Sequence, residues 1–172
     1  ADAMIPPIPG IDGEKVVLCN DYIAGKADVS GKVVLVGGGL TGLETAEMLT
    51  HSGKVTSLTI ADMLPEIGFG VFNIMMRDID HHLDNPVKLP KHMLNAITDK
   101  GAVFTKTDDQ STVEIDADYV VLALGLKKRT DFIKAFDKEF NNVIILGENR
   151  RAPGRIAEAI SDGFEAAYCF QP

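Results

Sequence analysis

Residues 31–53, GKVVLVGGGLTGLETAEMLTHSG, decide the fold of this chain. A continuous apolar run leads into three glycines, and helical spacing follows them. The apolar run is typical of a parallel strand that is covered on both faces. The spacing of Leu43, Ala46 and Leu49 predicts a helix over residues 42–51, with these three side chains toward the sheet. We therefore expect a strand-to-helix junction whose turn is built from glycine.

The glycines at this junction follow the pattern Gly-x-Gly-x-x-Gly, with Gly37, Gly39 and Gly42 in the fixed positions. Gly37 permits a tight turn, Gly39 has no Cβ to collide with a pyrophosphate, and Gly42 lets the helix pack close to the strand. The helix N-terminus directs free N–H groups at the phosphates. The predicted cofactor-binding turn comprises Gly37, Gly38, Gly39, Leu40, Thr41 and Gly42.

The next apolar run, SLTIAD, predicts a second strand over residues 57–61 that ends at Asp62. Asp62 stands 20 positions after Gly42, where a dinucleotide-binding fold places an acid on the adenine-ribose hydroxyls. A carboxylate there accepts hydrogen bonds from a 2′-hydroxyl and repels a 2′-phosphate, and residues 55–76 contain no basic side chain. The sequence therefore favours NADH over NADPH. The alternative interpretation is a structural turn with an unrelated aspartate.

The remaining segments predict an α/β fold, a Rossmann-like parallel sheet that carries an antiparallel β-meander. KVVLCNDYIAG predicts a short strand and a helical turn near the amino terminus. Apolar residues at helical spacing, including the methionine pair, predict a helix over residues 69–83. Short segments separated by turn signals predict the meander over residues 86–116.

The last third of the chain predicts two more strands and a closing helix. The strands are expected in ADYVVLALG, which ends at Gly125, and in NVIILGEN. The basic residues 127–129 lie between them and are interpreted as a solvated loop. The helix is expected from Arg155 to Phe170, with Ala159, Gly163 and Ala167 on its inner face.

Composition excludes several classes of function. The chain has 172 residues and a net charge of −8, and its 17 basic residues form no long stripe, so neither nucleic acid nor an anionic membrane is an expected partner. No apolar run is long enough to predict a transmembrane helix. Cys19 and Cys169 lie far apart, and the His81-His82 pair has no surrounding ligand motif, so no metal site is predicted. Two cysteines in an acidic chain fit a reducing cytoplasm.

Four motifs in this order resemble the two-dinucleotide-binding flavoprotein fold: IPPIPGIDG, the glycine-rich stretch, DADYVVLALG and VIILGENRRAPGRIAEAISDGFEAA. The resemblance covers nearly the whole chain and is closest to NADH:flavin oxidoreductases of the 2,4-dienoyl-CoA reductase and enoate reductase type. It implies that residues 30–126 are the NAD(P)H-binding domain. Residues 1–29 would be a linker and returning segment of the FAD domain. Residues 127–172 would be a connection and the C-terminal FAD-domain segment.

The same resemblance implies cofactors and further site residues. Gly147 and Glu148 occupy the position of a Gly-Asp pair that contacts FAD, and Gly125 is included among the cofactor-binding positions. Glu44 matches an acidic position that faces the nicotinamide, and an exposed helix carboxylate is the alternative. Glu148 departs from the family, which has aspartate there. In the family an upstream barrel carries FMN and an iron–sulfur cluster.

Two functions follow as expectations. In the first, the chain is the NADH-binding fragment of a flavin-dependent oxidoreductase and positions NADH for hydride transfer to FAD held mostly outside the chain. The partners would be the dinucleotide and the remainder of the parent flavoenzyme. No catalytic residue is assigned, and the isolated chain is expected to be inactive. The alternative is a non-catalytic nucleotide-binding or interaction domain.

Overall fold

The structure is a computed structural model that describes residues 1–147, 150 and 156–169. The chain divides into a larger unit, Ile5–Leu124, and a smaller unit, which joins Ala1–Met4 to Gly125–Pro172. The strands are β1 (Asp2–Ala3), β2 (Val16–Leu18), β3 (Gly31–Val36), β4 (Val55–Ala61), β5 (Val87–Leu89), β6 (His92–Ile97), β7 (Gly101–Lys106), β8 (Thr112–Asp116), β9 (Tyr119–Leu122) and β10 (Leu126–Lys127). The helices are α1 (Cys19–Ile23), α2 (Leu40–His51), α3 (Asn73–His82), α4 (Thr130–Glu139) and α5 (Ile156–Cys169).

The larger unit is built on a five-stranded parallel sheet in the order β2-β9-β3-β4-β5. β3 lies in its centre, and Val34 pairs with Val120 on one side and Thr59 on the other. The last four residues of β3 are all buried, as expected for a strand covered on both faces. The α/β fold with a parallel sheet and antiparallel strands is therefore confirmed.

Helix α2 covers one face of this sheet. Leu43, Ala46 and Leu49 are fully buried and belong to the same apolar cluster as Leu35 and Ile60. Burying a side chain of this size contributes about 1.5–3 kcal/mol. The helix and its inner face are as the sequence predicts, although it begins two residues earlier, at Leu40.

An antiparallel sheet of β6, β7 and β8 covers the opposite face. Phe104 of β7 is fully buried in a cluster with Val34, Val36 and Val120 of the parallel sheet. The predicted meander therefore exists, but its predicted beginning at residue 86 is wrong. Val87–Leu89 is a parallel edge strand that pairs with β4, and the meander begins at His92.

Helix α3 is shorter than the predicted helix over residues 69–83, because Gly68 and Gly70 adopt positive φ and Phe72 is the N-cap in an extended conformation. Ile79 is its one buried residue, and Met76 packs against the edge of the core. At the amino terminus, β2 and α1 confirm the predicted strand and helical turn. The compact larger unit begins at Ile5, whereas the sequence places a boundary at residue 30, because β2 pairs with β9 in the main sheet.

The smaller unit contains the β1–β10 pair, α4 and α5. The predicted strand at residues 142–149 is wrong for the described part, since residues 142–147 pair with no described strand. Helix α4 was not predicted. Lys127 belongs to β10 and not to a loop.

Helix α5 occupies most of the predicted closing helix, and its expected ends, Arg155 and Phe170, lie outside the described residues. Its inner face differs from the prediction. Asp162 is fully buried, whereas Ala167 is exposed. Asp162 is held there by hydrogen bonds from Gly147 N–H at 3.1 Å and Arg150 Nη1 at 3.0 Å. A buried carboxylate needs such partners, which explains how Asp162 joins the half-buried Ala159 and Gly163 on the inner face.

Candidate dinucleotide-binding site

The turn between β3 and α2 begins at Gly37, which has a φ of 109°. A Cβ on Gly37 would overlap the carbonyl oxygen of Ala123, at the end of β9. Its N–H donates to the carbonyl oxygen of Ala61 at 2.8 Å, at the end of β4. Both the backbone conformation and the lack of space therefore require glycine at this position.

Gly42 and Gly39 have different surroundings in the same turn. A Cβ on Gly42 would overlap the carbonyl oxygen of Gly37, so glycine allows α2 to approach the strand end. Gly39 has a φ of −74° and a ψ of −178°, and a Cβ there would have no neighbour within 4 Å. Fold stability therefore requires glycine at position 42, whereas at position 39 glycine leaves a space open.

The first turn of α2 presents free hydrogen-bond donors to this space. The first hydrogen bond of the helix runs from Leu43 N–H to the carbonyl oxygen of Gly39 at 2.9 Å. Among the described residues, no acceptor contacts the N–H groups of residues 39–42. The first turn contains no acidic side chain, so no carboxylate of the helix itself neutralises the positive end of its dipole. This arrangement suits an anion such as a pyrophosphate.

Asp62 lies beside the same turn. Its Oδ2 accepts a hydrogen bond from Gly38 N–H at 2.6 Å, and its Oδ1 accepts one from Leu64 N–H at 2.9 Å. Its own backbone is held between Leu89 and His92, with N···O distances of 3.0 and 2.8 Å. The structure thus brings together the acid and the glycine turn, which the sequence predicts at the ends of successive strands, and joins them by a hydrogen bond that sequence analysis missed.

The segment that follows Asp62 also contacts the turn, which sequence analysis missed. Gly68 N–H donates to the carbonyl oxygen of Gly38 at 2.8 Å. The side chain of Ile67 lies about 3.0 Å from the position that a Cβ on Gly38 would occupy. The glycines at positions 68 and 70 were the available signal, because both adopt positive φ in a segment that had been assigned partly to a helix.

The other predicted site residues of the larger unit lie on α2. Glu44 is exposed, and Leu40 packs against the core cluster. The carbonyl oxygen of Thr41 accepts a hydrogen bond from Thr45 Oγ1 at 2.7 Å. The exposure of Glu44 leaves both of its sequence interpretations open.

Gly125 and Gly147 belong to the smaller unit, and both have positive φ. The carbonyl oxygen of Gly125 accepts a hydrogen bond from Met4 N–H at 2.9 Å. The N–H of Gly147 donates to Asp162, as described above. Glu148 lies outside the described residues.

An open cleft of about 470 Å³ lies at the opposite edge of the parallel sheet, where the strands begin. It is lined by Gly10, Gly13, Glu14, Lys15, Ile97, Thr98, Asp99, Asp118 and Tyr119. Lys15 Nζ donates to the carbonyl oxygens of Asp99 at 2.6 Å and Ala117 at 3.1 Å. Asp118 Oδ2 accepts from Lys32 N–H at 2.7 Å. Lys15 and Asp118, two of the four charged residues in this lining, are thus already paired with the backbone.

The cysteines form no disulfide. Cys19 is buried, and burial raises the pKa of its thiol, whereas Cys169 is exposed. Across residues 1–147, 150 and 156–169, no cluster of His, Cys, Asp and Glu side chains has the arrangement of a metal site. The helices in those ranges also include none with the length and apolar character to span a bilayer.

Comparisons with known proteins agree with this geometry. Residues 1–152 match the family described as pyridine nucleotide-disulphide oxidoreductase. An NADH oxidase of Enterococcus faecalis is 31% identical over 150 residues, covering 76% of this chain and 31% of that protein. A rubredoxin-NAD(+) reductase of Alcanivorax borkumensis is 28% identical over 178 residues, covering 94% of this chain and 44% of that protein.

Among solved structures, a 2-naphthoyl-CoA reductase in complex with 2-naphthoyl-CoA superimposes with a TM-score of 0.85 at 27% identity. That match covers 100% of this chain and 26% of the reductase. This chain thus spans less than half the length of each of the three proteins. The chain belongs to the pyridine nucleotide-disulphide oxidoreductase family and contains the nucleotide-binding domain of these flavin-dependent oxidoreductases.

Proposed function

We propose that this chain binds NADH, in preference to NADPH, with the pyrophosphate on the turn of residues 37–42 and the adenine ribose on Asp62. The observation that carries the proposal is the juxtaposition of the Asp62 carboxylate with free N–H groups at the start of α2. The open space at Gly39 admits a phosphate close to the backbone. The residues present therefore fit a dinucleotide.

The preference for NADH is supported by the charge around Asp62. An ionised carboxyl group has about four lone-pair positions, and each oxygen of Asp62 uses one for a backbone N–H. One position on each oxygen is left for ribose hydroxyls. A 2′-phosphate would meet this negative charge, and residues 55–76 contain no Lys or Arg to offset it. Lys91, whose N–H donates to the carbonyl oxygen of Leu64 at 2.8 Å, has its Nζ 3.6 Å from Asp108.

The hydride acceptor in this proposal is FAD held mostly by other parts of a longer flavoenzyme. This division is supported by length, because the chain spans less than half of each of the three relatives described above. FAD supplies the hydride chemistry when it is bound, and this chain orients the nicotinamide toward it. Glu44 is proposed for the nicotinamide end, Gly125 as a cofactor-binding position, and Gly147 and Glu148 for the flavin.

The reaction type proposed for the parent protein is that of 2,4-dienoyl-CoA and enoate reductases, with FMN and an iron–sulfur cluster in an upstream part. Its support is the match of this whole chain to 26% of the 2-naphthoyl-CoA reductase, whose name gives a CoA thioester as substrate. A cytoplasmic location is proposed from the two free cysteines.

Calorimetric titration of the purified chain with NADH and NADPH tests the cofactor proposal. We expect NADH to bind at least about tenfold more tightly, because a hydrogen bond to a charged group contributes about 1.5–3 kcal/mol. Asp62→Ala is expected to remove most of this preference, and the control Asp118→Ala to retain it. Equal affinity of the unmutated chain for the two nucleotides would contradict the proposal.

A second experiment tests where FAD is held. The purified chain is expected to be colourless and to leave NADH unoxidised when FAD is added, since a few contacts do not overcome the roughly 4–15 kcal/mol of lost translational and rotational freedom. Visible absorbance and an NADH oxidation assay give the answer. A yellow protein, or NADH turnover, would show that this chain holds the flavin by itself.

A further inference from the structure

We propose that Asp62 is also a positioning residue, which holds the glycine turn in its phosphate-binding conformation before any nucleotide arrives. This role rests on the proposed function, because the turn must be the one that receives the pyrophosphate. It differs from contact with the ribose, since it acts through the protein backbone.

Both backbone polar groups of Gly38, its N–H and its carbonyl oxygen, have a hydrogen-bond partner. Its N–H donates to Asp62 Oδ2 at 2.6 Å, and its carbonyl oxygen accepts from Gly68 N–H at 2.8 Å. Both partners belong to the chain that follows β4. Asp62 is itself fixed, because Oδ1 accepts from Leu64 N–H at 2.9 Å and its backbone is bonded to two neighbouring segments.

Three consecutive glycines need such a constraint. Glycine has the largest backbone freedom of all residues, and fixing one residue costs about 1–2 kcal/mol of conformational entropy. Gly38 lies in the middle of the three, between Gly37 with its positive φ and Gly39 at the N-cap of α2. Without the Asp62 carboxylate, its N–H loses the one acceptor that this structure gives it. Part of the ordering of the turn would then have to accompany nucleotide binding, which lowers affinity.

One consequence separates this role from ribose recognition. If Asp62 only contacted the ribose, replacing it with alanine would weaken NADH binding and would not weaken NADPH binding. If Asp62 also holds the turn, Asp62→Ala lowers the affinity for both nucleotides. Cofactor preference and turn order are thus coupled in one side chain.

The decisive ligand is an NADH analogue with 2′,3′-dideoxyadenosine, which has no adenine-ribose hydroxyl for Asp62 to contact. We expect Asp62→Ala to weaken binding of this analogue by about fivefold, the equivalent of one ordinary hydrogen bond. Asp62→Asn retains an acceptor oxygen for Gly38 N–H and is expected to restore at least half of the lost affinity. Equal affinity of the unmutated chain and Asp62→Ala for the analogue would overturn the positioning role.

The control Asp118→Ala removes a comparable hydrogen bond, which Lys32 N–H donates to the Asp118 carboxylate at the beginning of β3. This variant is expected to leave analogue binding unchanged. Hydrogen exchange of the Gly38 amide without ligand provides the second readout. Exchange is expected to become faster in Asp62→Ala, but not in Asp118→Ala, and unchanged exchange in Asp62→Ala contradicts the proposal. If the unmutated chain binds neither NADH nor the analogue, the proposed function itself is wrong. Binding of NADH with no effect of Asp62→Ala on the analogue removes the positioning role alone.

Discussion

The two edges of the parallel sheet use their polar groups in opposite ways. At the edge where the strands end, the first turn of α2 has N–H groups without acceptors, and a Cβ on Gly39 would meet open space. At the edge where the strands begin, a cleft of about 470 Å³ is lined by charged residues, but Lys15 already donates to two carbonyl oxygens. This cleft is therefore not the better binding site. Available donors identify the site, and volume does not.

The difference follows from chain direction. In a parallel sheet every strand feeds its helix at the same edge, so helix N-termini and their unpaired N–H groups collect there. At the other edge, the turns that lead into the strands contain carbonyl oxygens that need hydrogen-bond donors. Lys15 satisfies two of these oxygens, at Asp99 and Ala117. The edge where the strands end therefore offers N–H donors to an anion. At the edge where they begin, the donor groups of Lys15 are already used by the backbone.

The largest expected effect is at Gly39. Gly39→Val places a side chain in the space of the pyrophosphate and is expected to weaken NADH binding by about 100-fold, since such an overlap costs up to about 3 kcal/mol. Thermal unfolding should change little, because φ and ψ at this position suit any residue. Calorimetry measures the affinity, with Gly163→Val as the control, since a Cβ on that glycine also meets no neighbour. Unaltered NADH affinity in Gly39→Val would place the nucleotide elsewhere.

A second substitution separates fold from binding within the same turn. Gly42→Ala forces a Cβ against the carbonyl oxygen of Gly37 and is expected to lower the free energy of unfolding by about 1–3 kcal/mol. The same change at Gly39 is expected to alter it by less than about 1 kcal/mol, because the restriction of the unfolded chain is offset by the poorer N-cap that alanine makes. Urea denaturation of the two variants measures this contrast. Equal stability would mean that α2 does not approach the strand as closely as described.

At the other edge, Lys15→Met tests whether the cleft is structural. Loss of the two hydrogen bonds from Nζ is expected to lower the free energy of unfolding by about 1 kcal/mol. The NADH affinity is expected to stay within about twofold, since this edge takes no part in the proposed site. A large loss of NADH affinity, with stability unchanged, would reverse the comparison of the two edges.

The smallest effect is expected at the exposed Lys54–Asp28 pair, near the same edge. The hydrogen bond from Lys54 holds the pKa of Asp28 below its ordinary value of 3.8, so the pair stabilises the fold above that pH. The contribution is lost as the pH falls through the lowered pKa of the folded state. Lys54→Met should therefore be slightly less stable than the unmutated chain at neutral pH and low salt, but not in acid or high salt. Lys26→Met, at a lysine with no ion pair among the described residues, is the control in thermal melts. A difference that persists in acid would contradict this explanation.

The segment from β3 to α2 was predictable because its local sequence pattern and its tertiary structure agree. The apolar run of β3, the three glycines and the spacing of Leu43, Ala46 and Leu49 all lie within one short stretch. In contrast, β5 has three residues with a lysine in the middle, so its pairing with β4 was decided by tertiary contacts. Helix α4 did carry a signal, in aromatic residues at positions 132, 136 and 140, but its segment had been interpreted as a connection.

The candidate site likewise has a part that the sequence predicts and a part that it does not. The position of Asp62 after β4 follows from strand length and from the glycine spacing. Its bond to Gly38, and the contact of Gly68 with the same residue, depend on an irregular segment between β4 and α3. Glycines with positive φ shape that segment, and apolar periodicity carries no information about their conformation.

The position of β9 in the sheet has a consequence for how the larger unit folds. β9 lies between β2 and β3, and β2 pairs with no other strand of the sheet. The pairing of β3 with β4 around α2 joins segments that are close in the chain, so it can form early. By contrast, β2 has no partner until Tyr119–Leu122 arrives from far along the chain, at the cost of closing a long loop. During synthesis, β2 can therefore join the parallel sheet only after β9, the last strand of that sheet in the chain, has been made.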